Sequence, residues 1–181
     1  EVIKELPVEI VITGDPQKGF VFSHAIPSVH SLSVKGGESV INKLEKIYTK
    51  EIDLNDAVSS FDVKIPLVMD ENITLLGKDR LIDVTVIVTE KIIPCVFDKI
   101  FITSINTDLG STITPNVLSL IVEGPENKIS ALDPLLNIHV YLDLKGLEKG
   151  VYVRRATVNL PVGISLVAVN PENFTVELYQ M

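Results

Sequence analysis

A chain of 181 residues can hold one larger domain or two small ones, and 46% apolar against 22% charged residues argues against a disordered polymer. With 16 Lys and Arg against 24 Asp and Glu, the net charge of −8 argues against binding nucleic acid through its phosphates and against a polybasic hold on anionic lipid, while leaving a basic protein partner open. There is no Trp and only one cysteine, Cys95, so the cores must rest on Val, Ile and Leu, and neither an internal disulfide nor a cysteine zinc site can form.

In chain order, the first signal is an alternation from Pro7. Val8, Ile10 and Ile12 point one way and Glu9, Val11 and Thr13 the other, which predicts a strand over residues 7–13. Gly14-Asp15-Pro16 makes a turn. Strands are expected over 19–25 and 29–34, before Gly36-Gly37 interrupts the sheet. The period then changes. Val40, Ile41, Leu44 and Ile47 fall on one helical face, so a short amphipathic helix is expected within 38–47, with its acid early and its lysines late to suit the dipole. Further strands are expected over 48–54, 60–67, 73–76 and 81–89. The last alternates Asp83 and Thr85 with Val84, Val86 and Val88, as a strand with one solvated face should.

From here the pattern starts again. Leu32, Val34, Gly36, Glu38 and Ile41 recur as Leu120, Val122, Gly124, Glu126 and Ile129, all at an offset of 88, and Pro27 and Val29 recur as Pro115 and Val117. Pro7 and Pro94 each open an apolar run. Downstream, Asp53-Leu54 matches Asp143-Leu144, and Ile65-Pro66-Leu67 matches Leu160-Pro161-Val162, at drifting offsets that imply small insertions. The second copy should place a helix on Ile129, Leu132 and Leu135, with Pro125 in its first turn, and strands over 138–142, 151–160, 165–169 and 174–179. The boundary falls at Glu90-Lys91. The expected fold is mainly β with one short helix per repeat, as two tandem small β-rich domains over 1–90 and 91–181.

Groups that could carry chemistry are sparse. His24 and His30 are expected in neighbouring strands, where they could approach each other, but no ligand spacing supports a zinc site. His139 alternates with Val140 and should face solvent. No G-x-S-x-G elbow, G-x-G-x-x-G or Walker sequence is present. Asp53 and Asp143 hold matching repeat positions, so a turn or capping role outweighs paired-carboxylate chemistry. Gly36-Gly37-Glu38 and Gly124-Pro125-Glu126 open helices, and an acid there repels phosphate. Arg154-Arg155 should point to opposite faces of a strand. Cys95 follows Pro94 in an apolar run and reads as a structural thiol. No catalytic, cofactor-binding or metal-ligating residue is assigned, and no cofactor is expected.

The order of features resembles the YbbR-like domain family. The opening Pro and apolar strand, the P-x-V entry (Pro27, Val29; Pro115, Val117), the L-x-V-x-G-x-E segment, the short helix, the D-L strand end and the strand with an internal Pro (Pro66, Pro161) occur twice and cover nearly the whole chain. Gly37 departs from the pattern, where the family often shows Pro, as Pro125 does. The resemblance implies a CdaR-like regulator: a bacterial, membrane-anchored, single-pass parent with these domains outside the cytoplasm, no enzymatic activity, and a membrane diadenylate cyclase, the source of cyclic di-AMP, as partner. Any contact with the membrane would run through a segment outside these residues, since no run of about 20 apolar residues occurs here. The alternatives are a structural or cell-wall ligand-binding stalk, which an exposed cluster of Tyr48, Tyr141, Tyr152 and Tyr179 would favour, and an enzyme, which would need His24, His30 and a carboxylate in one pocket.

Overall fold

The computed structural model describes residues 1–77 and 80–181, which divide into two compact modules, Glu1–Glu90 and Lys91–Met181. The first module contains β1 (Val2–Thr13), β2 (Phe20–Pro27), β3 (Ser31–Gly36), a single helical turn α1 (Glu38–Ile41), β4 (Ile47–Asp53), β5 (Phe61–Val68), β6 (Ile73–Leu75) and β7 (Leu81–Glu90). They form a seven-stranded sheet in the order β2-β7-β5-β4-β1-β3-β6. The mainly β fold class expected from the sequence holds.

β1 organises this module because it changes partner halfway. Val2 to Pro7 run antiparallel to β3, and Val8 to Thr13 run parallel to β4. Pro7 sits at the changeover, where a residue without an N–H costs the ladders least. It therefore lies inside the strand and does not open it. Alternation delivers Leu6, Val34, Ile52, Val84 and Val86 to one core. The outer face of β5 and β7 is polar: Thr85 Oγ1 donates to Asp62 at 2.6 Å, and Lys64 lies 3.8 Å from Asp83.

The expected helix is much shorter than its apolar spacing suggests. α1 ends at Ile41, which is fully buried, and Ile47 reaches the core from β4. Between them Lys4 Nζ donates to Leu44 O at 2.7 Å and Lys46 pairs with Glu9. Both partners lie on β1, so residues 44–46 are held beside that strand and not wound into a helix.

The second module contains β8 (Ile92–Phe101), β9 (Thr103–Ile105), β10 (Gly110–Thr114), β11 (Val117–Pro125), two helical turns, α2 (Glu126–Ser130) and α3 (Pro134–Asn137), then β12 (His139–Asp143), β13 (Gly150–Arg155), β14 (Thr157–Asn159), β15 (Ser165–Asn170) and β16 (Asn173–Tyr179). Its strands form three sheets of three, β10-β16-β13, β14-β12-β9 and β15-β11-β8. If β8 and β9 are one strand broken at Ile102, and β13 and β14 one strand broken at Ala156, the strand order is that of the first module. Leu118, Leu120, Val122, Leu142, Phe174 and Val176 fill its core.

Several expectations need correction here. One strand over 151–160 becomes two. One helix becomes two short turns, and Pro125 ends β11 in an extended conformation (ψ 132°) instead of starting the helix. Two proline matches also fail on register. Pro94 pairs with Glu123, the repeat partner of Lys35, and Lys35 faces Ile3, so Pro94 corresponds to Ile3 and not to Pro7. Pro66 lies within β5, whereas Pro161 follows β14 and accepts the Ile164 N–H in a turn.

Candidate functional site

The residues singled out for chemistry stay apart. His24 lies on β2 and His30 in the turn before β3. Four strands separate β2 from β3 in the sheet, so the expected neighbourhood does not exist: sequence adjacency is undone by the strand order. His24 Nδ1 lies 2.9 Å from Ser23 Oγ. Among the described residues no group of three or more His, Cys, Asp and Glu could hold a metal ion. Cys95 is half-buried on β8 and packs against the core. The tyrosines of the second module do not cluster: Tyr141 and Tyr152 lie in different sheets, Tyr152 packs against the core, and Tyr179 is exposed. Arg154 stacks over Tyr152 at 5.2 Å, and Arg155 pairs with Glu172 at 3.4 Å.

The repeated polar positions do repeated structural work. Asp53 Oδ1 accepts the Asn55 N–H and Asp143 Oδ1 the Lys145 N–H, an Asx turn in each copy. The next residues, Leu54 and Leu144, are buried and donate to Thr13 O and Ile105 O. Asn106 Nδ2 also donates to Asp143, and these two hydrogen bonds hold the Asp143 carboxyl below its ordinary pKa. The repeated glycines allow close approach: a Cβ on Gly36 would lie 3.0 Å from Asn72 O, and one on Gly124 would lie 2.9 Å from Gly163 O.

What the sequence did not reveal is a groove of about 310 Å³ in the second module, between the end of β8 and the α3 turn. It is lined by Ile100, Phe101 and Thr103 from the β8 side, by Pro134 and Leu135 of α3, and by His139. Phe101 is 65% exposed and Leu135 82%. Large apolar side chains this exposed and this close together mark a surface that does not meet water by default. Two departures from the repeat build the groove. In β8, Asp98 and Lys99 together face Ser119, a bulge that the β1–β3 ladder lacks, and Lys99 adopts φ 57°, uncommon for a residue other than glycine. On the facing side, three residues more than in the first copy separate Ile129 from Ile138 than separate Ile41 from Ile47, and they make room for α3. The signal for the second was present as a step in the repeat offset, but spacing alone does not say that this insertion meets the β8 bulge in space.

Residues 6–89 match the model of the family described as YbbR-like protein. The first module is thus a YbbR-like domain; the second module has the same strand order once β8 is joined to β9 and β13 to β14. Among solved structures, a YbbR-like domain of a Listeria monocytogenes protein is similar at 18% identity and a TM-score of 0.43, covering 48% of this chain and 92% of that one. A YbbR family protein from Desulfitobacterium hafniense shares 22% identity at a TM-score of 0.35, over 49% of this chain and 96% of that one. A YbbR-like protein from Streptococcus pneumoniae shares 12% identity at a TM-score of 0.32, over 98% of this chain and 94% of that one. Comparison with curated proteins gives no match.

Proposed function

We propose that the two modules form a non-catalytic regulatory and interaction segment of a membrane-anchored bacterial protein, positioned outside the cytoplasm, which modulates a membrane diadenylate cyclase and hence cyclic di-AMP synthesis. The observation that carries this reading is the YbbR-like first module, joined to a second copy of the same plan. His24 and His30, the pair that an enzyme reading would need in one pocket, lie on β2 and just before β3, which four other strands separate in the sheet. An exposed tyrosine cluster would favour the stalk reading; in the second module Tyr141 lies in a different sheet from Tyr152 and Tyr179, and Tyr152 packs against the core. The test is cyclic di-AMP output of the neighbouring membrane cyclase, expressed with and without the full-length parent. A change in output that disappears when residues 1–181 are deleted is the expected result. Unchanged output, with both proteins confirmed in the membrane, rejects the proposal.

A further inference from the structure

We infer that the groove between β8 and α3 is a docking site for an extended segment of a partner protein, one that presents a bulky apolar side chain next to a carboxylate. The inference rests on the interaction reading above and adds the surface and the chemistry of its occupant.

The first module shows what belongs in this place. Val11 pairs with Glu51 and Thr103 with Tyr141 at matching positions of the parallel ladders, so Phe101 occupies the position of Glu9. Counting back from β4 and β12 in the same way, Asn137 occupies the position of Lys46. In the first module Glu9 and Lys46 form an ion pair there, and Lys4 fastens Leu44 O to β1. The free side of β1 is thus covered by the chain's own stretch 44–46, which brings Leu44 against the core with Glu45 beside it. In the second module the covering stretch has become the α3 turn, the ion pair has become Phe101 and Asn137, and the slot stands open. β8 is the edge of its three-stranded sheet, so its main-chain groups on this side can take an added strand.

The chemistry of the occupant follows from the walls. Phe101 and Leu135 offer contact to one large apolar side chain, and a buried anchor of that kind dominates most peptide affinities. Lys99 stands at the bulge beside the groove and has no carboxylate within ion-pair distance among the described residues, and Asp98 next to it accepts Ser119 Oγ at 2.9 Å. His139, which also lines the groove, adds a further nitrogen. A carboxylate next to the anchor matches Lys99, just as Glu45 follows Leu44 in the covered slot.

The test is a titration of the isotope-labelled 181-residue chain with acetylated and amidated hexapeptides Thr-X-Asp-Val-Glu-Thr, where X is Leu, Ile, Met or Phe, followed by amide NMR. The expected result is shifts confined to residues 98–103 and 134–140, with a Kd of about 1 mM or tighter for the best peptide. Phe101→Glu should weaken it about tenfold, and so should peptides carrying Lys for Asp and Glu. Spectra of the variant outside the groove establish that it folds. The inference is overturned if no peptide shifts these amides, if β1 of the first module responds equally, or if sodium hexanoate reproduces the shifts at the same concentration, which would make the groove a site for small apolar molecules. Peptide binding combined with cyclase output unaffected by Phe101→Glu in the full-length parent would keep the docking site and remove its regulatory role.

Discussion

Thr49 Oγ1 accepts the Val11 N–H at 3.0 Å. Between Glu9 and Val11 the parallel ladder slips, since β4 advances three residues while β1 advances two. The slip would leave the Val11 donor unpaired, and Thr49, 2% exposed, turns its hydroxyl to it. Thr49→Val keeps the shape and removes the acceptor, so it should destabilise the first module by about 1–3 kcal/mol. Thr49→Ser keeps the acceptor and should cost about 1 kcal/mol for one methyl group. Urea unfolding followed through first-module amide resonances separates the two. Equal losses for Val and Ser would show that the hydroxyl is incidental.

Tyr179 covers Gly110 across the β10–β16 pair: a Cβ at Gly110 would overlap the edge of the Tyr179 ring. Gly110→Ala must therefore push an exposed ring aside. The expected cost is about 1 kcal/mol, and it should vanish in a Tyr179→Ala background, where alanine suits a strand better than glycine. The double-mutant cycle in thermal unfolding measures the coupling. A cost that persists without the ring would place the clash elsewhere.

The two repeated glycines should differ in tolerance. A Cβ at Gly124 meets Gly163 O at 2.9 Å and Ile164 Cδ1 at 2.7 Å, whereas one at Gly36 meets Asn72 O at 3.0 Å and Ile41 at 3.2 Å. Backbone moves less readily than a side-chain end, so both alanine variants should destabilise, within about 1–3 kcal/mol, with Gly124→Ala the costlier. Chemical denaturation of the two variants, read module by module, ranks them.

Asp143 should titrate below its ordinary 3.8, because the Asn106 amide and the Lys145 N–H favour its charged form. A depressed folded pKa contributes stability that is present above the unfolded value and is lost as pH falls through the folded one. Asn106→Ala removes the larger of the two causes. It should raise the Asp143 pKa towards the ordinary value, as read by carboxyl carbon shifts, and reduce stability near neutral pH more than in strong acid. An unmoved titration would assign the depression to the Lys145 amide alone.

The parts of this fold that local pattern controls were legible in the sequence. The alternation of Asp83 and Thr85 with Val84, Val86 and Val88 placed β7 and its buried face, and the repeat itself announced two copies of one plan. The Asx turns at Asp53 and Asp143 followed from their matching positions. Non-local pairing was not legible. Nothing near Val8 signals that it will lie parallel to Ile47, and that pairing is what turns a helical spacing at residues 40–47 into a single turn and a strand. The same cause separated His24 from His30. The drift in repeat offset also has a physical origin: Ile41 to Ile129 spans 88, α3 carries Ile47 to Ile138 to 91, and the slip at Thr49 returns Asp53 to Asp143 to 90. The groove was invisible because its walls, Phe101 and Leu135, are 34 residues apart in sequence and read singly as ordinary apolar positions.

The strand order also fixes when a module can close. β2 pairs only with β7, and β5 pairs with β7 along most of its length, yet β7 is the last strand of its module to leave the ribosome. Phe20 to Pro27 must therefore wait, unpaired, until Leu81 to Glu90 has been made. Pairings this distant in sequence fold slowly and expose strand edges meanwhile. A chain stopped near residue 80 keeps both β1 ladders but loses the neighbour that β2 and β5 share, so early termination in either module should yield aggregation rather than a smaller working domain.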